Sequence, residues 1–126
     1  MHKFPKSERL NSKLIIDELF TKGKSFYIEP FKIIWLEYPL ALNLKTQVLI
    51  AVSKRYLKKS VHRNKIKRRI KEAYRIQKYF LLNTLTNSGK QYVFAFLYTS
   101  KQINDYRIIK NKILLILQRL EKEINV

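Results

Sequence analysis

The apolar positions change period several times along the chain. Ile15, Ile16, Leu19 and Phe20 gather on one side of a helix running to about Lys22, with Asn11 or Ser12 as its cap and Gly23 as its stop. Three strand-like stretches follow, at 26–28, at 31–38 after Pro30, and at 47–52. They are rich in aromatic and β-branched residues, and 43–46 supplies turn material. Ser60 is placed to cap a long helix reaching about Leu82. Residues 92–98 read as a strand between Asn87-Ser88-Gly89 and Thr99-Ser100. A last helix begins near Asp105 and carries Ile109, Ile113, Ile116, Leu120 and Ile124 at helical spacing. The order is α-β-β-β-α-β-α, an α+β pattern with helices packed on a mixed sheet. No repeat or linker divides it, so residues 1–126 are expected to form one domain.

Two faces within this pattern bear on function. Alternation along 92–98 sets Tyr92, Phe94, Phe96 and Tyr98 against Val93, Ala95 and Leu97. Such an aromatic row serves either as core beneath a helix, its commoner use, or as a platform for unpaired bases. Trp35 has the same two readings. On the long helix, Ile66, Ile70, Ala73, Tyr74, Phe80 and Leu81 fall within about 120° of arc. Lys67, Lys78, Lys71, Asn64, Arg75 and Arg68 occupy the next 100° or so, and Arg63 lies on the border.

Charge sharpens the picture. Lys and Arg number 27 against nine Asp and Glu, a formal net charge of +18. Ten of the 18 residues at 54–71 are Lys or Arg and none is acidic. Glu72 is the only carboxylate between Tyr38 and Asn104. A charge run is often just a solvated face. Here, however, Arg63, Lys67, Lys71 and Arg75 stack like charges at i,i+4, each pair costing a few tenths of a kcal/mol. A folding chain that carries such a stack points to a polyanionic partner. Asn64 has two readings, a contact to a base edge or 2′-hydroxyl and a helix-start hydrogen bond.

Absences narrow the chemistry. The chain has no Cys, which excludes disulfides, thiolate metal sites and thiol nucleophiles. Two glycines, Gly23 and Gly89, cannot build a phosphate-cradling loop. His2 and His62 are too few for a His-rich metal site. The nine carboxylates are scattered, whereas a metal-dependent nuclease clusters them. No secretory segment or membrane span is read, so the expected setting is cytoplasmic.

The stretch VSKRYLKKSVHRNKIKRRIKEAYR at 52–75, with RNKIKR at 63–68, closely resembles the signature of the bacterial ribonuclease P protein subunit. Arg9-Leu10, Leu19-Phe20 and Gly23-Lys24-Ser25 are similar to that family's earlier pattern. The resemblance implies a two-layer α/β sandwich with a left-handed βαβ crossover, like domain 2 of ribosomal protein S5. It also implies an RNA-binding subunit, taken to be monomeric in the holoenzyme. That subunit assists a catalytic RNA in endonucleolytic removal of the 5′ leader of precursor tRNA. No cofactor is then bound by the protein alone, and Mg2+ enters through the RNA subunit and substrate.

Carried over position by position, the resemblance makes Arg63, Asn64, Lys65, Lys67, Arg68, Lys71, Arg75, Lys54 and Arg55 the RNA-binding set. Phe20, Ile16 and Ser53 would line a leader cleft between the first helix and the sheet. No catalytic residue and no metal ligand is implied. Ile16 stands where the family commonly has Phe, and the loop at 56–60 is one residue longer than usual. The alternative reading is a non-catalytic basic RNA-binding protein of ribosomal or chaperone-like type. A self-sufficient nuclease is disfavoured by the scattered acids, and a DNA-binding helix-turn-helix by the strands that precede the basic helix.

Overall fold

The computed structural model describes residues 4–124. A 3-10 turn at Lys6–Glu8 leads to α1 (Lys13–Lys22), β1 (Lys24–Ile28), β2 (Phe31–Glu37) and β3 (Thr46–Val52). Then come α2 (Ser60–Gln77), α3 (Tyr79–Ser88), β4 (Tyr92–Tyr98) and α4 (Tyr106–Ile124). The element order is the expected one, with the long helix divided at Lys78 into α2 and α3. Of the two candidate caps for α1, Ser12 is used: its hydroxyl accepts from the Ile15 amide at 3.4 Å. Ser60 does not cap α2; it is the first helical residue, and the N-cap Lys59 makes no side-chain cap bond.

The sheet order is β1-β2-β4-β3. β2 pairs antiparallel with both β1 and β4, whereas β3 and β4 run parallel. Parallel neighbours need a crossover, and α2 and α3 supply it. One sheet face, with Phe31, Ile33, Trp35, Val48, Phe94 and Phe96, packs under α2, α3 and α4 as the main core. The other carries a smaller cluster of Leu10, Leu19, Ile34, Val93 and Ala95 beneath α1.

This arrangement settles the aromatic row. Tyr92, Phe94, Phe96 and Tyr98 belong to the main core and are nearly inaccessible, and Trp35 is buried with them. The face of β4 that looks toward α1 is Val93, Ala95 and Leu97. No helix among the described residues is long and apolar enough to cross a membrane.

Two side chains on the expected helical arcs sit otherwise. Lys78, expected on the cationic strip, is 3% exposed, with Nζ 2.8 Å from Glu8 Oε1. The acid of the 3-10 turn draws it under the N-terminal segment. Phe80, expected on the apolar arc, is exposed, because α3 turns Leu81 and Leu85 inward instead.

Gly23 joins α1 to β1 at close quarters. A Cβ there would run into the Leu19 carbonyl oxygen and lie 2.7 Å from Ile34 Cγ2. Its φ of −70° needs no glycine; the requirement is space. Leu19, one turn earlier, is fully buried, worth about 2 kcal/mol of apolar transfer, and the close approach keeps it seated. Gly23→Ala is therefore expected to destabilise the fold by about 2 kcal/mol, read as a lower urea midpoint with an unchanged slope.

Candidate nucleic-acid interface

α2 buries Ile66, Ile70, Ala73, Tyr74 and Gln77 and turns its charged side chains outward around the remaining arc. Their positions resolve the expected strip into two flanks and a crest. Lys71 looks over the outer edge of β3, where it lines a depression of about 150 Å³ with Arg9, Val48, Leu49 and Ile50. Lys65 and Arg68 line the opposite flank, in a shallow depression of about 380 Å³ that also includes Arg69, Glu72 and Tyr106 of α4. Asn64 is exposed on the crest, and its amide makes no hydrogen bond among the described residues, so the helix-start role is not used.

The members of the set differ in what holds them. Arg63 is half-buried and serves the fold: its Nη1 donates to the Leu57 and Lys58 carbonyls at 2.9 and 2.7 Å. Leu57 itself is 4% exposed within the main core. Ser53 Oγ accepts from the Arg55 amide at 3.1 Å, and the Ser53 carbonyl accepts from the Tyr56 and Leu57 amides. The loop at 53–59 is thus a tied turn, which leaves Ser53, Lys54 and Arg55 exposed beyond the end of β3. Arg75 donates from Nε and Nη2 to Glu72 at 2.9 and 2.5 Å. Those bonds hold the Glu72 carboxyl below the usual carboxylate range. Arg69, absent from the expected set, donates to the Asn104 carbonyl at 2.6 Å and ties α2 to the start of α4.

At Lys71 burial and like charge act together. Burial, then the neighbouring charges of Arg9 and Lys67, holds its ammonium below the ordinary lysine range. The charged form is the disfavoured one, so the penalty is full below the folded pKa and fades as pH rises through it.

On the other face, α1 crosses β2 and β4. Leu19 is buried, Ile16 is half-buried against the same cluster, and Phe20 is 50% exposed. The sheet beside α1 is only partly covered: Leu49, Ala51 and Leu97 remain half-buried. This side of the sheet therefore presents half-buried apolar positions next to α1, which carries the exposed Phe20, and the exposed Ser53, Lys54 and Arg55 follow directly on the Val52 end of β3. No three Asp, Glu or His side chains among the described residues are grouped to hold a metal ion.

A family model described as Ribonuclease P matches residues 4–121. The chain belongs to the ribonuclease P protein family. Among its relatives, the ribonuclease P protein component of Porphyromonas gingivalis is 30% identical over 105 residues, covering 83% of this chain and 77% of the relative. That of Chlorobium phaeobacteroides is 36% identical over 88 residues, covering 68% of this chain and 60% of the relative. The fold is similar to that of the Staphylococcus aureus RNase P protein, with a TM-score of 0.71 at 20% identity over 91% of this chain and 96% of that one. For the Thermotoga maritima RNase P protein the TM-score is 0.70 at 23% identity, over 89% and 96%. A ribonuclease P protein works with a ribonuclease P RNA in tRNA 5′ maturation, and the catalytic centre of that endoribonuclease lies in the RNA.

Lys71→Met is expected to raise the melting temperature of this ribonuclease P protein when RNA is absent. The gain is a few tenths of a kcal/mol and shrinks as salt is added. A melting series from low to high ionic strength measures it.

Proposed function

We propose that the chain grips the catalytic RNA along α2 and receives the single-stranded 5′ leader of precursor tRNA in the cleft between α1 and the sheet. The observation that carries this reading is one juxtaposition. A helix whose crest and flanks bear Asn64, Lys65, Lys67, Arg68 and Lys71 starts one tied loop beyond the end of β3, whose α1 side carries the half-buried apolar Leu49 and Ala51. Phosphates of the folded RNA suit the first surface, and unpaired nucleotides suit the second.

The roles follow from the chemistry of each side chain. Arg68 offers a planar fork to phosphate oxygens, while Lys65, Lys67 and Lys71 act as mobile point charges. Asn64, with both amide groups unused, reads a base edge or a 2′-hydroxyl. Lys54 and Arg55 meet the leader phosphates and Ser53 offers a hydroxyl. Phe20 supplies an apolar wall and Ile16 fills beneath it. Arg75 joins the set when a phosphate competes with Glu72 for its guanidinium. Magnesium is held by RNA and substrate. The protein contributes by fixing the leader against the RNA in the register at which those ions bind. It acts as a monomer in the cytoplasm.

Reconstitution with a cognate ribonuclease P RNA at low magnesium tests this, with precursor-tRNA cleavage as the readout. The wild-type protein is expected to stimulate cleavage, and Lys67→Glu with Arg68→Glu to abolish stimulation while circular dichroism and melting stay unchanged. Each side chain that ceases to neutralise a phosphate should reduce the slope of log affinity against log salt by about 0.9. RNA binding without stimulation by the wild-type chain would mark a general RNA-binding protein. Full stimulation by the double variant would put the RNA on another face.

A further inference from the structure

The sheet face under α1 is covered unevenly, and its far side holds a second exposed aromatic ring. The register places Leu49, Ala95, Ile34 and Ser25 in one row across the four strands. Ala95 is fully buried in that row and Ile34 is 7% exposed. One pleat further toward the Val52 and Tyr98 ends, the row is Ala51, Leu97, Lys32 and Tyr27. Here Ala51 and Leu97 are half-buried, Lys32 is exposed and Tyr27 is 56% exposed. The second row spans three interstrand gaps, about 14 Å. It opens at the same end of the sheet as Ser53, Lys54 and Arg55.

Tyr27 is exposed but not loose. Its Oη lies 3.0 Å from Thr99 Oγ1, and Thr99 Oγ1 donates to the Pro30 carbonyl at 2.9 Å. The threonine proton is thereby used, so the tyrosine hydroxyl is the donor. Because β2 lies between β1 and β4, the ring reaches across the start of β2 to a residue just beyond β4. A ring held in this way loses little rotamer freedom when something stacks on it. The register partner of Tyr27 on β2 is the exposed Lys32. The acid of the adjoining turn, Glu29, lines a depression with Asn104, Ile108 and Lys112 on the α4 side.

An open aromatic face next to a cation is the device that holds unpaired bases without reading their sequence. We infer that Tyr27 and Lys32 form a distal subsite for the leader: a leader base stacks on the Tyr27 ring, and its phosphate meets Lys32. The track then runs from Arg55 and Ser53 over Leu97 to Tyr27, across the whole sheet, and substrates with longer leaders reach a ring that shorter ones cannot. The inference rests on the leader reading proposed above and extends it to residues outside the 52–75 motif.

The test compares precursor tRNAs carrying leaders of about two and about ten nucleotides. Each is bound to the reconstituted holoenzyme with wild-type protein, Tyr27→Ala, Tyr27→Phe or Lys32→Ala. The expected result is a long-over-short affinity ratio that falls about fivefold to tenfold in Tyr27→Ala. Lys32→Ala should lower it less and flatten its salt dependence, and Tyr27→Phe, which keeps the ring but loses the Thr99 tether, should retain most of it. With 2-aminopurine placed at successive leader positions, quenching should peak at one position and disappear there in Tyr27→Ala. A wild-type ratio above one that Tyr27→Ala leaves untouched overturns the subsite while sparing the leader cleft. A wild-type ratio of one overturns the cleft and the subsite together.

Discussion

The parallel pairing of β3 with β4 is the constraint on which the rest of this molecule depends. A chain that leaves β3 at Val52 must re-enter β4 at Tyr92, at the opposite end of the sheet. It therefore has to travel back over one face. That return buries Ile66, Ile70, Tyr74, Leu81 and Leu85 against the sheet. It also places the start of α2 where β3 ends, which is where the α1 side of the sheet lies open. The cationic motif and the half-covered side of the sheet meet at one end of the molecule because of a strand direction.

The second organising fact is electrostatic. Three of the nine acids hold a cation in this structure. Glu8 holds the buried Lys78, Glu72 holds Arg75, and Glu123 pairs with Arg119 on α4. Lys54, Arg55, Lys65, Lys67, Arg68 and Lys71 have no such carboxylate pairing in the described residues. The free chain consequently holds like charges close together on this face; Lys71, held down first by burial, is also held down by Arg9 and by Lys67. Neutralising them with phosphates removes repulsion at the same time as it forms new bonds, so binding and folding reinforce each other.

Much of this was legible in the sequence, for reasons that differ by element. The strand at 92–98 alternates strictly and forms as expected, although Asn87 and Ser88, expected as turn residues, belong to α3, which runs past the expected end at Leu82 and stops at the left-handed Gly89. Asn64, Lys65 and Arg68 of the motif lie on the exposed arc of α2 because Ile66 and Ile70, one turn apart, determine which side is buried. A helical wheel carries less far. It treats Lys78 and Phe80 as continuations of α2, although the first answers to Glu8, 70 residues away, and the second belongs to a separate helix. Nor does a wheel or an alternation pattern show which strands neighbour one another. Tyr27 and Lys32 gain significance only when β1, β2 and β4 are laid side by side, and Arg69 only when α4 is seen to begin beside it.

The twin bonds from Arg63 to the Leu57 and Lys58 carbonyls affect how the motif is to be read genetically. The first residue of RNKIKR is a keystone for the turn that aims Ser53, Lys54 and Arg55, so its replacement disturbs two surfaces at once. A deleterious allele at this codon therefore reports on loop architecture as much as on ligand recognition. Selection acting on Arg63 would persist even if every nucleotide contact moved elsewhere on the helix. In this protein the first letter of the signature is one whose phenotype is not assignable to RNA alone.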